Sequence, residues 1–237
     1  MSTNNEELFK KIFDKGSLKL DVYDLTLDVF KHFKAEVIEM VKKYDIAHKN
    51  EPNADRVPFT YQDKGDFEFE IKFGGDILLF IMHTNIFEIP RTHEVMSTSY
   101  IKKDKTRSYC GMINIYNFLA DSFKYGREYD AGYLVGRIML NKEKHYFIEG
   151  KQEIGMIYHH FENSVMDQEA IQQIISSAIE YTVNFDLLIP PYEKVSLISV
   201  MDMKRAIQGS SFVTGKRVGF KFQADIKEVK GQKKDSQ

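Results

Sequence analysis

The segment that most constrains the fold is residues 66–73, in which charged and apolar side chains alternate without exception. Successive side chains of an extended strand point to opposite faces, so this strand has one apolar and one charged face. Gly74 and Gly75 follow, and then the apolar run of residues 77–82. Because glycine adopts the positive φ angles of tight turns, the sequence predicts a β-hairpin whose second strand is the more buried.

Amphipathic helices are predicted before this hairpin. In residues 17–48, apolar side chains recur every three or four positions, which is the helical period. A shorter helix is predicted at residues 5–14, and Gly16 is expected to end it. The apolar face of the shorter helix contains Leu8, Phe9, Ile12 and Phe13. The two helices are expected to form one layer, and residues 51–65, which contain two prolines, to form a connecting loop.

A meander of short strands is predicted in the middle of the chain, at residues 133–140, 145–149 and 153–160. The polar residues 90–107 are predicted to form a long surface loop. Between these segments, residues 111–123 leave two alternatives open. Their apolar positions fit a short helix ending near Gly126, and their first half fits a strand equally well.

Asp167 is expected to cap a helix, because Asp is a favoured N-cap residue and an apolar stripe follows it at helical spacing. The two prolines at 190 and 191 prevent this helix from continuing. Strands are predicted at residues 195–200 and 217–226, with a helical turn near residues 202–208 between them.

This order of elements predicts an α+β fold. An antiparallel sheet, made of the hairpin and the meander, is expected to pack against the long N-terminal helix and the helix after Asp167. A single domain is predicted over residues 1–237. Residues 1–50 are its helical layer, residues 51–226 its mixed sheet and helices, and residues 227–237 a charged tail.

Composition favours an ordinary globular protein of the cytoplasm. The net charge of −2 provides no global attraction to nucleic acid. Cys110 is the only cysteine, so an internal disulfide is excluded and a reducing compartment is favoured. The first residues are acidic where a secretory signal is basic, and the longest apolar run has six residues, so neither export nor a membrane partner is expected.

The most specific catalytic hypothesis is a metal-dependent nuclease or phosphodiesterase. Such sites combine two carboxylates that hold a divalent ion such as Mg²⁺ with a lysine that orients the attacking water. Asp130, Glu149 and Lys151 offer this set, with Asp130 and Glu149 as the metal ligands. Phosphate binding would also need a basic surface, and a basic cluster is available at Lys102, Lys103, Lys105 and Arg107.

The leading hypothesis is a non-catalytic protein-binding or assembly component, whose partner is another protein or a copy of itself. Residues 184–192 combine an apolar run with a rigid proline pair after a helix, and Phe185 and Tyr192 are the aromatic residues at its two ends. The nuclease is the first alternative, with nucleic acid as its partner. A small-ligand sensor, with a pocket between the meander and the helix after Asp167, is the second.

Overall fold

The computed structural model describes residues 2–128, 130–150, 161–186, 189, 191–201 and 203. The helices are α1 (Ser2–His48), α2 (Ser99–Lys103), α3 (Ala120–Lys124), α4 (Gln168–Val183) and α5 (Tyr192–Val195). The strands are β1 (Phe59–Asp63), β2 (Glu68–Phe73), β3 (Asp76–Met82), β4 (Phe87–Glu88), β5 (Tyr109–Leu119), β6 (Tyr133–Asn141) and β7 (Tyr146–Gly150). The predicted strands at residues 153–160 and 217–226, most of the turn near residues 202–208, and the tail lie outside the described residues.

The fold is α+β, as predicted. In the described part of the chain, seven strands form one sheet in the order β1-β2-β3-β5-β6-β7, and β4 pairs with β5 beyond the end of β3. All of these pairs are antiparallel. The predicted hairpin is β2 and β3, in which Phe69 lies opposite Phe80 and Ile71 opposite Leu78. Gly74 has φ +52° in the turn, a conformation that glycine adopts without steric cost.

One face of the sheet packs against α1 and α4. Phe30 and Phe33 of α1 lie on Phe69 and Phe80, with ring centroids 5.3 and 6.1 Å apart, and those two rings stack on each other at 4.6 Å. All four side chains are fully buried. The predicted N-cap of α4 is confirmed, because Asp167 accepts a hydrogen bond of 2.8 Å from the amide of Ala170.

The opposite face of the sheet carries a second apolar cluster, and here the predicted surface loop at residues 90–107 was wrong. This segment contains α2 and two 3-10 turns, Glu94–Ser97 and Lys105–Ser108. Its buried apolar side chains pack against sheet residues of the opposite face to α1. The cluster comprises Ile89, Val95, Tyr100, Ile101, Cys110, Met139, Phe147 and Phe161.

Three other local predictions needed correction or resolution. Within residues 51–65, predicted to be a loop, β1 forms the edge of the sheet beside β2. The two alternatives for residues 111–123 are both partly realised, because β5 extends to Leu119 and the short helix α3 follows it. Residues 195–200 do not form the predicted strand, since Val195 ends α5 and residues 196–200 do not pair with the described sheet.

Helix α1 is continuous through Gly16, contrary to the prediction that this glycine ends a helix. The 47 residues of α1 run from Ser2 to His48, and Gly16 is not among the described glycines with positive φ. Glycine inside a helix costs only about 1 kcal/mol relative to alanine. Without a proline or a left-handed turn at this position, the flanking helical segments remain joined.

Replacing Gly16 with alanine is therefore expected to strengthen α1. No atom lies within 4 Å of the position that a Cβ would occupy, so the methyl group meets no obstacle. The change is expected to favour the local helix by about 1 kcal/mol, which slower amide hydrogen exchange in residues 5–20 would show. Faster exchange there would instead indicate that Gly16 adopts a left-handed, helix-ending conformation.

The closest approach between α1 and the sheet lies at Gly111 of β5. A Cβ atom at this position would overlap the Thr26 side chain, whose own Cβ lies 2.7 Å away. Thr26 is fully buried, and its hydroxyl donates a hydrogen bond of 2.6 Å to the carbonyl of Val22. Gly111 thus provides the space in which α1 crosses the sheet.

Substituting Gly111 with alanine is expected to lower the free energy of unfolding by about 1–3 kcal/mol through overpacking. The double variant G111A/T26A should recover only part of this loss, because the Cβ of residue 26 remains. Gly75→Ala is a matched control, since no atom lies within 4 Å of its added methyl group and its φ is not positive. Urea denaturation compares the variants, and equal stability of G111A and G75A would contradict the close contact.

Candidate functional site

The N-terminal part of α1 carries a continuous apolar surface that is open to solvent. We call residues 5–20 the N-terminal arm. Every side chain in residues 5–16 is exposed. Five large apolar side chains form the apolar stripe of the arm, with exposed fractions of 52–73%: Leu8, Phe9, Ile12, Phe13 and Leu20.

The apolar stripe adjoins the face that α1 buries against the sheet. At 100° per residue, Leu8 and Ile12 point in nearly the same direction as Val22 and Thr26, both of which are fully buried. The remaining stripe residues widen this surface to one side. The same helical face is therefore covered by the sheet from Val22 onward and exposed before it.

The edge of the sheet explains where this coverage stops. The Lys15 ammonium lies 5.5 Å from the ring centroid of Tyr109, the first residue of β5. A cation over an aromatic face is a favourable contact at the rim of a core. Before this position α1 extends beyond the strand, so the described part of the sheet offers the arm no apolar surface to pack against.

Charged side chains border the apolar stripe asymmetrically. On the helical wheel, Lys15 and Lys19 lie at the edge of the stripe marked by Leu8. Glu6 and Asp24 lie at the opposite edge. The apolar stripe thus has one basic and one acidic border.

The predicted basic cluster is not a uniform cationic surface. Lys102, Lys103 and Lys105 are exposed, but Arg107 is half-buried. The Arg107 guanidinium donates to Glu143 (3.0 Å) and to the carbonyl of Tyr100 (3.0 Å), and it lies 4.3 Å from the centre of the Tyr100 ring. Arg107 therefore attaches α2 to the β6–β7 turn, and nucleic-acid binding by the three lysines stays a prediction.

A polar network around Arg107 holds the segment before β5 in place. Asp104 accepts hydrogen bonds from the hydroxyl of Thr106 (2.6 Å) and the ammonium of Lys142 (2.9 Å), and these bonds lower the pKa of its carboxyl group. Burial acts to raise the pKa of Glu143, but hydrogen bonds from Arg107 and Tyr100 outweigh it, and that pKa is also lowered. Both carboxylates therefore stabilise the folded chain.

The three nuclease residues are not brought together by the described residues. Asp130 accepts a hydrogen bond of 2.6 Å from Ser122 in α3. Glu149 lies in β7, where its carboxylate is 3.2 Å from the Arg137 guanidinium and 3.5 Å from the imidazole of His93. Lys151 lies outside the described residues.

The sheet register separates the two carboxylates. Glu149 is opposite Arg137, which in turn is opposite Asn114 of β5. The partner of Asp130 lies beyond Leu119, about 16 Å further along β5 at roughly 3.3 Å per residue. A shared ion would need ligand oxygens at about 2.0–2.6 Å, so this geometry does not favour the nuclease, which stays a prediction.

The two aromatic residues of the proposed docking segment lie in different environments. Phe185 packs against Tyr133 and Tyr181, with ring centroids at 5.5 and 6.2 Å. Tyr192, in α5, is 78% exposed. Phe185 therefore belongs to the packing around α4, while Tyr192 is free to contact another molecule. Docking through this segment stays a prediction.

Cys110 and the metal-ligating side chains offer no further reactive centre in the described structure. Cys110 is fully buried, and burial strongly raises the pKa of its thiol. Within the described ranges, no group of three or more His, Cys, Asp or Glu side chains is arranged to hold a metal ion. None of the helices in the same residues has an apolar stretch long enough to cross a lipid bilayer.

The sequence identified four of the five stripe residues, as the apolar face of a short helix in a helical layer. The interruption of the core-facing positions by Lys15 and Lys19 was the signal that this part of α1 lies beyond the sheet. Comparison with known proteins gave no match to a family model, a curated protein or a solved structure.

The polar network predicts how the stability of the fold depends on pH. Carboxylates whose pKa is lowered by folding stabilise it above their ordinary pKa of about 4, and that stabilisation is lost as the pH falls further. Asp104→Asn is expected to cost about 1 kcal/mol at pH 7 and less at pH 3, as measured by urea denaturation. Asp45→Asn, at an exposed position of α1, is the control and should cost little at either pH. An Asp104→Asn penalty that is independent of pH would contradict the ionic role of Asp104.

Proposed function

We propose that this protein is a non-catalytic assembly component that associates with a second copy of itself through the N-terminal arm. The observation that carries the proposal is the apolar stripe, whose five large side chains are all more than half exposed. Single exposed apolar residues are common on protein surfaces, whereas a contiguous group is typical of an interface. A cytoplasmic location is part of the proposal, because a reducing compartment keeps the unpaired Cys110 thiol reduced.

The size of the stripe suits a dimer contact. Two phenylalanines and three aliphatic side chains expose on the order of 600 Å², since an aromatic residue alone covers about 150–250 Å² when buried. A standard interface buries about 800 Å² on each partner. Pairing of two arms, with contributions from their polar borders, approaches this value.

The charged borders favour a parallel arrangement of the two arms. If a two-fold axis runs along the helices, the basic edge of each copy meets the acidic edge of the other. Lys19 then lies near Asp24 of the second copy, five residues further along, as in parallel coiled coils. In an antiparallel pair, the basic border of one arm would face the basic border of the other, so that lysines would lie opposite lysines. The borders therefore select a second copy in parallel orientation.

The proposal is tested by measuring the mass of the full chain in solution by light scattering after size exclusion. We expect a dimer of two 27.7 kDa chains. The double variant F9E/F13E should weaken dimerisation about 100-fold, because charged side chains replace two central apolar contacts. Ile46→Glu is the control, since Ile46 is even more exposed than Phe9 and Phe13 but lies at the other end of α1, and this variant should remain dimeric.

A charge exchange tests the parallel orientation. Lys19→Glu and Asp24→Lys should each weaken the dimer, and the double variant K19E/D24K should restore it, because the opposite charges face each other again. An antiparallel dimer would instead be strengthened by Lys19→Glu alone. A monomeric wild-type chain would overturn the proposal. Binding of the arm to lipid vesicles is the competing outcome: the proposal would also be overturned if substitutions in the arm abolished vesicle binding and left the oligomeric state unchanged.

A further inference from the structure

A cleft separate from the N-terminal arm lies where α1, the start of α4 and the β6–β7 turn meet. Its volume is about 420 Å³, within the range of small-molecule sites. Apolar side chains form part of its wall: Val29, Met166 and Ile171. It adjoins the start of α4, the helix beside which the sensor pocket was predicted.

Glu36 is the most unusual group in the cleft. Its side chain belongs to a residue with only 8% of its surface exposed, although it lines the cleft wall. One carboxylate oxygen accepts a hydrogen bond of 2.9 Å from the Gln172 amide, and the other accepts a longer one of 3.5 Å from Gln168. Both donors are neutral side chains of α4. Among the described residues, no cation lies within ion-pair distance of Glu36.

Two amide donors leave much of the acceptor capacity of this carboxylate unused. An ionised carboxylate has about four lone-pair sites, and burial without a counter-charge is unfavourable. The two glutamines fix the orientation of Glu36 and leave room for further donors from the cleft. A cation bound there would supply both the missing charge and the missing hydrogen bonds.

The other charged groups around the cleft also favour a cation. Glu39 and Asp167 line it together with Glu36, and the cations facing them are Lys144 and, when protonated, His32. One Asp167 oxygen is engaged by the amide of Ala170 at the start of α4. Three acidic side chains against one lysine give the cleft a formal excess of negative charge.

The rim of the cleft is held by the backbone of Lys144. This residue has φ +63°, a left-handed conformation that is uncommon for a side chain other than glycine. Its amide donates to the carbonyl of Asn141 (3.1 Å), and its carbonyl accepts a bond of 2.7 Å from the amide of Met166. The first bond closes the β6–β7 turn, and the second joins this turn to the segment before α4.

We propose that this cleft binds a small organic cation, an amine with a short apolar body. The ammonium group donates to Glu36, and the apolar body packs against Val29, Met166 and Ile171. The site is distinct from the proposed dimer contact, so either can exist without the other.

Isothermal titration of the full chain with three probes of the same shape tests this assignment. 4-Phenylbutylamine should bind about tenfold more tightly than neutral 4-phenylbutanol, and 4-phenylbutanoate should bind most weakly. Glu36→Gln keeps the size of the side chain, removes its charge and replaces one acceptor oxygen with a donor, and it should remove the preference for the amine. Glu51→Gln, an exposed site just after α1, is the matched control and should preserve it.

A second variant separates binding in the cleft from a purely structural role of Glu36. Ala35 is exposed and lines the cleft, so Ala35→Phe should reduce amine and alcohol binding alike by about tenfold without disturbing the core. Equal binding of the amine and the acid would overturn the proposal. Amine affinity that is unchanged in Ala35→Phe would also overturn it, even if Glu36→Gln failed to fold.

Discussion

The packing of α1 on the sheet is the contact on which the rest of the structure depends. Phe30 and Phe33 lie on the stacked rings of Phe69 and Phe80, and these four rings join the helix to β2 and β3. At β5, which α1 also crosses, the glycine at position 111 lets the helix approach the backbone. Helix α4 packs beside α1 in the same core.

Segments with a clear pattern or clear boundaries were predictable from the sequence. Strand β2 alternates and helix α4 has an apolar stripe, while β3, β6 and β7 are short apolar runs bounded by turn residues. Segments that lack both signals were not predictable. Strand β5 is buried on both faces along much of its length, which removes the alternation that distinguishes a strand from a helix. Residues 90–107 look polar, yet Val95 and Ile101 anchor them to the sheet.

The candidate sites show a similar division between local and long-range information. The residues of the apolar stripe lie close together in the chain, so the sequence pattern identified most of them. Only the extent of the described sheet shows that the sheet does not cover them. Glu36 lies within a predicted helix, and nothing near it in the chain indicates that Gln172 is its donor, 136 positions away. Likewise, the distance between Asp130 and Glu149 follows from strand register, which depends on pairing rather than on residue type.

Because α1 is continuous, the N-terminal arm is a direct extension of the part of the helix that packs on the sheet. No break separates the exposed arm from the part of α1 that contacts the sheet. The contact of Thr26 with β5 therefore sets the direction of the arm, and it also sets the side to which the apolar stripe points. The arm is about 24 Å long at 1.5 Å per residue, so a tilt of about 10° at its base moves its tip by roughly 4 Å. A packing change that tilted the helix by this amount at its crossing with the sheet would therefore displace the far end of the arm by more than the length of a hydrogen bond. The geometry of any assembly built on the arm is thus determined inside the core.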